Sequence, residues 1–175
     1  MGVGWDVHTD KPTLSLSFVG GFVQTLHDGG ASYIHIRNSK FRDLQNFVMR
    51  VEAAFIESQT MPRDRAIGVC WWPGDDLGER FLLYEVGEYL GGTCHENKCP
   101  DFVNGRLEQI AVEQFVSVIL IHQRGESAVY VDGMPVAYHK LSIATPSGGF
   151  SLCPHSLDGM QTDIKYDNLR VWSLP

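Results

Sequence analysis

No run of this sequence reaches the apolar length needed to cross a bilayer. The opening residues, MGVGWDVHTD, hold neither a basic start nor an apolar h-region, so no signal peptide is visible. Membrane insertion is not expected, and a trimmed or excised domain of an extracellular protein would equally show no signal peptide. Basic residues are in short supply: 14 Lys and Arg stand against 21 Asp and Glu, for a net charge of −7, and they are scattered. Nucleic acid and anionic membranes both require a basic footprint and are not expected as partners. Neutral ligands such as sugars fit this balance, as does a metal site made of carboxylates.

Cysteine is sparse as well. Four residues, Cys70, Cys94, Cys99 and Cys153, are too few for a disulfide scaffold in a chain of 175 residues. Cys70 and Cys153 sit in apolar strand patterns and read as small buried hydrophobes. Cys94 and Cys99 flank a polar loop that a disulfide between them would staple. No Asn-x-Ser/Thr sequon occurs, so glycosylation gives no support for secretion and the compartment stays open.

Helical periodicity is nearly missing. Only Arg106–Gln114, with Leu107, Ile110 and Ala111 at helical spacing, leaves room for one short helix. Strand signals fill the rest. The most apolar stretch is VSVILIHQRGESAVYVDGMPV, residues 116–136, with runs at Val116–Gln123 and Ala128–Asp132. A polar turn, Arg124-Gly125-Glu126-Ser127, separates them, and Asp132-Gly133 is a hairpin signal. Val116, Val118 and Leu120 face one way, Ile119 and Ile121 the other, which predicts a central strand covered on both sides.

Earlier, Thr13–Val19, Phe22–Leu26 and Ser32–Arg37 read as a β-meander with one wet face. Phe47–Ile56, Ala66–Trp72, Arg80–Val86 and the closing strand Thr162–Trp172 follow, while Tyr89–Phe102, rich in Gly, Cys, Asn and Pro, looks irregular. About ten strands with turns every 8–14 residues predict an all-β fold. The expected form is a two-sheet antiparallel jelly-roll sandwich with at most one short helix, one domain over residues 1–175.

The segments Phe47–Glu52 (FVMRVE), Gly68–Trp72 (GVCWW), Arg80–Val86, Ser127–Val136 and Ile164–Trp172 (IKYDNLRVW) occur in an order that resembles the concanavalin A-like lectin/glucanase superfamily. The resemblance is closest to laminin-G-like and 3-keto-disaccharide-hydrolase-like bacterial domains. It rests on Tyr130-Val131-Asp132-Gly133 and on Tyr166-Asp167-Asn168-Leu169-Arg170-Val171-Trp172, and it covers Phe47 to Trp172. It implies the jelly-roll fold and carbohydrate as the leading ligand class, and calcium as a metal that several such domains bind. Fold analogy alone assigns no activity.

Sandwich glycosidases commonly carry Glu-x-Asp on one strand, where alternation puts both carboxylates on one face. No Glu in this sequence is followed two residues later by Asp. A pair from different strands, such as Glu52 and Glu85, could still converge. Trp71 and Trp72 must face opposite ways on a strand. Alternation from Ile67 and Val69 assigns Trp71 to the core and Trp72 to the open face, where an indole can stack on a sugar ring. Arg50, Glu52 and Tyr84 are its expected polar companions on a concave sheet.

Cys94-His95-Glu96-Asn97-Lys98-Cys99 carries zinc-ligand residue types, but its spacing favours a loop disulfide or plain thiols. Calcium is the better metal candidate, with Asp6, Asp10, Asp28, Asp158 and Asp163 in loops or at strand ends, though no ligand set can be read. His122 and His155 read as strand-end and turn residues, with no Ser-His-Asp arrangement. The leading reading is a non-catalytic carbohydrate-binding or adhesion-like module. Its alternatives are a glycoside hydrolase or lyase using carboxylates from different strands, and a structural domain that meets protein partners.

Overall fold

In a computed structural model the chain forms a two-sheet antiparallel β-sandwich. The structure describes residues 5–8, 14–19, 22–28, 35–38, 44–57, 61–74, 77–94, 99–140, 150–156 and 161–175. Side chains are described from Leu44 onward, save at 72–74, 77, 156, 161 and 162.

Fifteen strands are seen among the described residues, numbered in chain order. They are β1 (Trp5–His8), β2 (Leu14–Val19), β3 (Phe22–Asp28), β4 (His35–Asn38), β5 (Phe47–Phe55), β6 (Arg65–Gly74), β7 (Leu77–Tyr84) and β8 (Glu88–Cys94). The remainder are β9 (Asp101–Arg106), β10 (Val116–Gln123), β11 (Glu126–Val131), β12 (Met134–Lys140), β13 (Phe150–Leu152), β14 (His155–Ser156) and β15 (Gln161–Ser173). One sheet runs β1-β4-β13-β6-β7-β8-β9, with β14 also paired to β6; the other runs β12-β11-β10-β5-β15-β3-β2.

Alternation fills the space between the sheets. From β5 it takes Phe47, Met49, Val51, Ala53 and Phe55; from β10, Val116, Val118 and Leu120; from β6 and β7, Ile67, Val69, Trp71, Phe81 and Leu83. Trp71 is 1% exposed, as its parity with Ile67 and Val69 requires. The turns that join β10, β11 and β12 are two residues long, Arg124-Gly125 and Asp132-Gly133. All four residues have positive φ, the type I′ geometry that matches strand twist.

Several expectations are corrected. β10 is central in its sheet, between β5 and β11, but Ile119 and Ile121 are only half-buried, so one of its faces is open. The early meander is split: β2 and β3 pair in the seven-stranded sheet, while β4 crosses to the other. Within Tyr89–Phe102, expected to be irregular, Tyr89–Cys94 and Asp101–Phe102 belong to β8 and β9, which pair as a hairpin. The helix at Arg106–Gln114 does not form. Its backbone N–H groups go to distant parts of the chain instead: Leu107 to the Gly87 carbonyl and Ile110 to Glu85 in the β7–β8 turn, and Glu113 to Phe55 on β5. Those long-range bonds replace the i→i−4 ladder.

The cysteines are paired, Cys94 with Cys99 and Cys70 with Cys153. The first closes the β8–β9 hairpin. The second corrects the reading of Cys70 and Cys153 as plain hydrophobes. Cys153 lies against Gly68, where a Cβ would come within 1.9 Å of the Cys153 carbonyl oxygen. Only glycine admits this approach.

The disulfides cross sequence separations of 83 and 5 residues. Chain-entropy reasoning gives the longer ring about 4.5 kcal/mol of stabilisation and the shorter about 2 kcal/mol. The double variant Cys70→Ser/Cys153→Ser should therefore lower Tm roughly twice as far as Cys94→Ser/Cys99→Ser. Equal losses, or free thiol titrating in the denatured unreduced protein, would contradict the pairing.

Candidate ligand-binding face

The four residues expected to form one site do not share a face. Arg50 and Glu52 lie on β5 in the seven-stranded sheet, while Trp72 and Tyr84 lie on β6 and β7 in the other. The Trp72 side chain is outside the described residues. Tyr84 is half-buried with its ring edge-on to His155, and burial raises its pKa against the lowering effect of Arg80. Glu52 and Glu85 do not converge either. Glu85 is buried in an ion pair with Arg65, a guanidinium that also donates to the Ile56 carbonyl and lies 5.4 Å from the Phe55 ring centre.

Arg50 and Glu52 are brought together on the outer face of their sheet, since the intervening Val51 faces the core. Arg50 Nη2 donates to Glu52 Oε1 at 3.0 Å, and Arg50 Nε donates to Ser117 Oγ at 3.1 Å. Asn168 Nδ2 donates to Glu52 Oε2 at 2.6 Å. The guanidinium remains 42% exposed and the carboxylate 27%.

A β-bulge completes this face. Between Asp167 and Arg170, β15 holds one residue more than β5 opposite it, and Asn168 takes φ 51°, a conformation that Asn tolerates better than most residues. Before the bulge Ile164 and Tyr166 point into the core; after it Leu169 and Val171 pack against the core. Unbroken alternation would have grouped Arg170 and Trp172 with Ile164. The bulge turns them outward instead, with Arg170 opposite Arg50, Trp172 opposite Val48, and Trp172 46% exposed. Sequence reasoning missed Trp172 for that reason. The Asp-Asn pair in the strand was the available signal.

A second polar group is buried between the sheets. Glu79, on the inward parity of β7 with Phe81 and Leu83, accepts hydrogen bonds from Trp71 Nε1, from Ser127 Oγ (2.8 Å) and from His139 Nδ1. His122 Nδ1 lies 2.9 Å from Ser127 Oγ, and the His139 ring stacks on Phe102 at 4.1 Å. This brings together a serine, histidines and a carboxylate that the sequence did not connect. The one Ser127 hydroxyl proton goes to Glu79, so Oγ accepts from His122 Nδ1–H, and His122 is no base toward it. Ser127 is 2% exposed. The cluster joins two sheets; it is not a nucleophile.

Among the described residues no group of three or more His, Cys, Asp or Glu is placed to hold a metal ion. Asp10 and Asp158 lie outside the described residues, as do the side chains of Asp6 and Asp28. His95 and Glu96 also lie outside them, and the Cys94–Cys99 disulfide removes both thiolates that a zinc site would need.

Burial lowers the His122 pKa from 6.5, opposed by the charge of Glu79. The unfolded chain therefore takes up this proton first. The associated stability is fully present above 6.5 and is lost as pH falls below it. Tm should decline between pH 7.5 and 5.5, and His122→Gln should flatten that decline; an unchanged slope in the variant would refute the assignment.

No family model matches the sequence, and no curated protein matches it. Solved structures do resemble it. The carbohydrate binding module CBM66 from Bacillus subtilis aligns with TM-score 0.68 and 12% identity over 97% of this chain and 96% of its own. A structure from work on the endo-acting O-glycanases with which human gut microbiota initiate mucin breakdown aligns with TM-score 0.73 and 11% identity, covering 100% and 94%. The VIP36 exoplasmic/lumenal domain, bound to Ca2+ and mannose, aligns with TM-score 0.68 and 11% identity, covering 97% and 83%. At these identities the likeness is one of architecture, shared by carbohydrate-binding modules, lectins and glycan-active enzymes. The chain has the concanavalin A-like lectin/glucanase fold.

Proposed function

We propose that this chain is a non-catalytic carbohydrate-binding module whose ligand lies on the outer face of the seven-stranded sheet. One observation carries the reading: Arg50, Glu52 and Asn168 form a hydrogen-bonded cluster on that face, beside Arg170 and the exposed ring of Trp172. A sugar offers vicinal hydroxyls that both donate and accept, and a ring face of C–H groups. Arg50 supplies donors and Glu52 an acceptor 3.0 Å apart, held by their mutual bond, and the indole offers an apolar platform.

The structural neighbours support this ligand class, since they include a carbohydrate binding module and a mannose-bound lumenal domain. Separation of Glu52 from the buried Glu85 removes the carboxylate pair that the hydrolase alternative used. The narrower kinship with laminin-G-like and 3-keto-disaccharide-hydrolase-like domains rests on Tyr130–Gly133 and Tyr166–Trp172 alone. Two disulfides favour an extracellular or otherwise oxidising setting.

The test is a glycan-array screen followed by calorimetry, comparing wild type with Trp172→Ala and Arg50→Ala. Loss of one aromatic stack should weaken binding about tenfold, close to 1.4 kcal/mol. Trp172 is exposed and Arg50 partly so, and each substitution should leave Tm within about 2 °C. Silence of the folded wild type across the array would overturn the module reading in favour of a protein-interaction domain.

A further inference from the structure

The outer face of the seven-stranded sheet carries a second exposed aromatic residue, Tyr138 on β12, 60% exposed. Its position relative to Trp172 follows from the register. Trp172 sits opposite Val48, Val48 opposite Ile121, Ile121 opposite Ala128, and Ala128 opposite Tyr138. Residues directly opposite one another in a sheet share a face. These five therefore make one row running across the strands, with an aromatic ring at each end. The floor between is apolar, and Val48, Ile121 and Ala128 are all half-buried. Four inter-strand steps separate the rings, about 19 Å at the usual spacing.

Polar groups flank this row on both sides. One flanking row holds Arg170, Arg50, Ile119 and Tyr130; the other holds Gln123, Glu126 and Lys140. Their charges are already compensated in part: Arg50 pairs with Glu52 at 3.0 Å and Lys140 with Glu126 at 2.6 Å. The five residues of the row itself carry no charge. An anionic polymer would have to break those pairs and would meet Glu52, Asp167 and Glu126 as it settled. A neutral polymer rich in hydroxyls meets apolar floor beneath and hydrogen-bonding groups alongside.

We infer that the occupant is a neutral, linear glycan lying across the strands from Trp172 to Tyr138, held at both ends by stacking, and not a single terminal sugar. The inference rests on the carbohydrate reading above and adds the ligand's shape, direction and charge. One pyranose ring covers one aromatic residue and cannot reach the other at this separation. A chain of several units engages both, and its second contact is made without a second loss of translational freedom.

The probes are ladders of cello-, laminari-, manno- and xylo-oligosaccharides from disaccharide to octasaccharide, titrated calorimetrically into wild type, Trp172→Ala and Tyr138→Ala. In the ladder that binds, affinity should rise at least about tenfold between members that cover one ring and members that span both, and then level off. Tyr138→Ala should cap that ladder at the affinity of its shortest members, with Tm unchanged. A flat ladder, or a length dependence that survives Tyr138→Ala, would overturn the spanning geometry while leaving carbohydrate binding in place. A preference for oligogalacturonate or oligoalginate over every neutral ladder would overturn the charge assignment. Failure of every ladder, together with silence on the array, would remove the inference and the carbohydrate reading together.

Discussion

Strand β15 pairs with β5 along most of its length, and between Asp167 and Arg170 it carries one residue more than its partner. That extra residue exchanges the two faces of the strand. Upstream, Ile164 and Tyr166 fill the core, with the Tyr166 hydroxyl receiving a bond from Gly68 N across the sandwich. Downstream, the same parity carries Arg170 and Trp172 to solvent. A regular strand would bury a guanidinium without a partner, at a cost of several kcal/mol. The bulge avoids this, and Asn168, the residue that makes it, also bonds Glu52. The polar cluster and the indole thus depend on one local backbone feature.

Buried polar groups lie toward both ends of β7. At one end Glu79 gathers Trp71, Ser127 and His139; at the other Arg65 meets Glu85. Pairs of this kind add little net stability, because desolvation offsets their attraction. They do penalise misregister. A one-residue slip of β7 would carry Glu79 to the outer face together with Phe81 and Leu83, and a slip of β11 would take the Ser127 hydroxyl away from it.

Much of this architecture was legible in the sequence. The alternation of β10 set Val116, Val118 and Leu120 apart from Ile119 and Ile121, the Asp132-Gly133 turn lies where composition put it, and Trp71 went inward. These signals are local. What the sequence did not show depends on partners far away in the chain. Cys70 and Cys153 stand 83 residues apart, and nothing in either apolar pattern announces the other. Glu79 sits at an inward position of β7, yet its three donors come from β6, β11 and β12. The β8–β9 hairpin was hidden by loop-like composition that its disulfide makes compatible with pairing. Arg50 and Glu52 were grouped with an indole that lies on the other sheet, because strand order is not written in periodicity. The outward turn of Trp172 was concealed by the bulge.

Assigning the ligand to one sheet is the central claim, and the indole N–H resonances of the protein test it most directly. Trp71 is buried between the sheets, Trp172 is exposed on the seven-stranded sheet, and Trp72 belongs to a strand of the other. In a titration with a glycan that binds, observed by 15N-resolved NMR, the Trp172 indole signal should shift most and the Trp71 signal least. A response centred on Trp72, with Trp172 unmoved, would contradict the account and put the site on the opposite sheet.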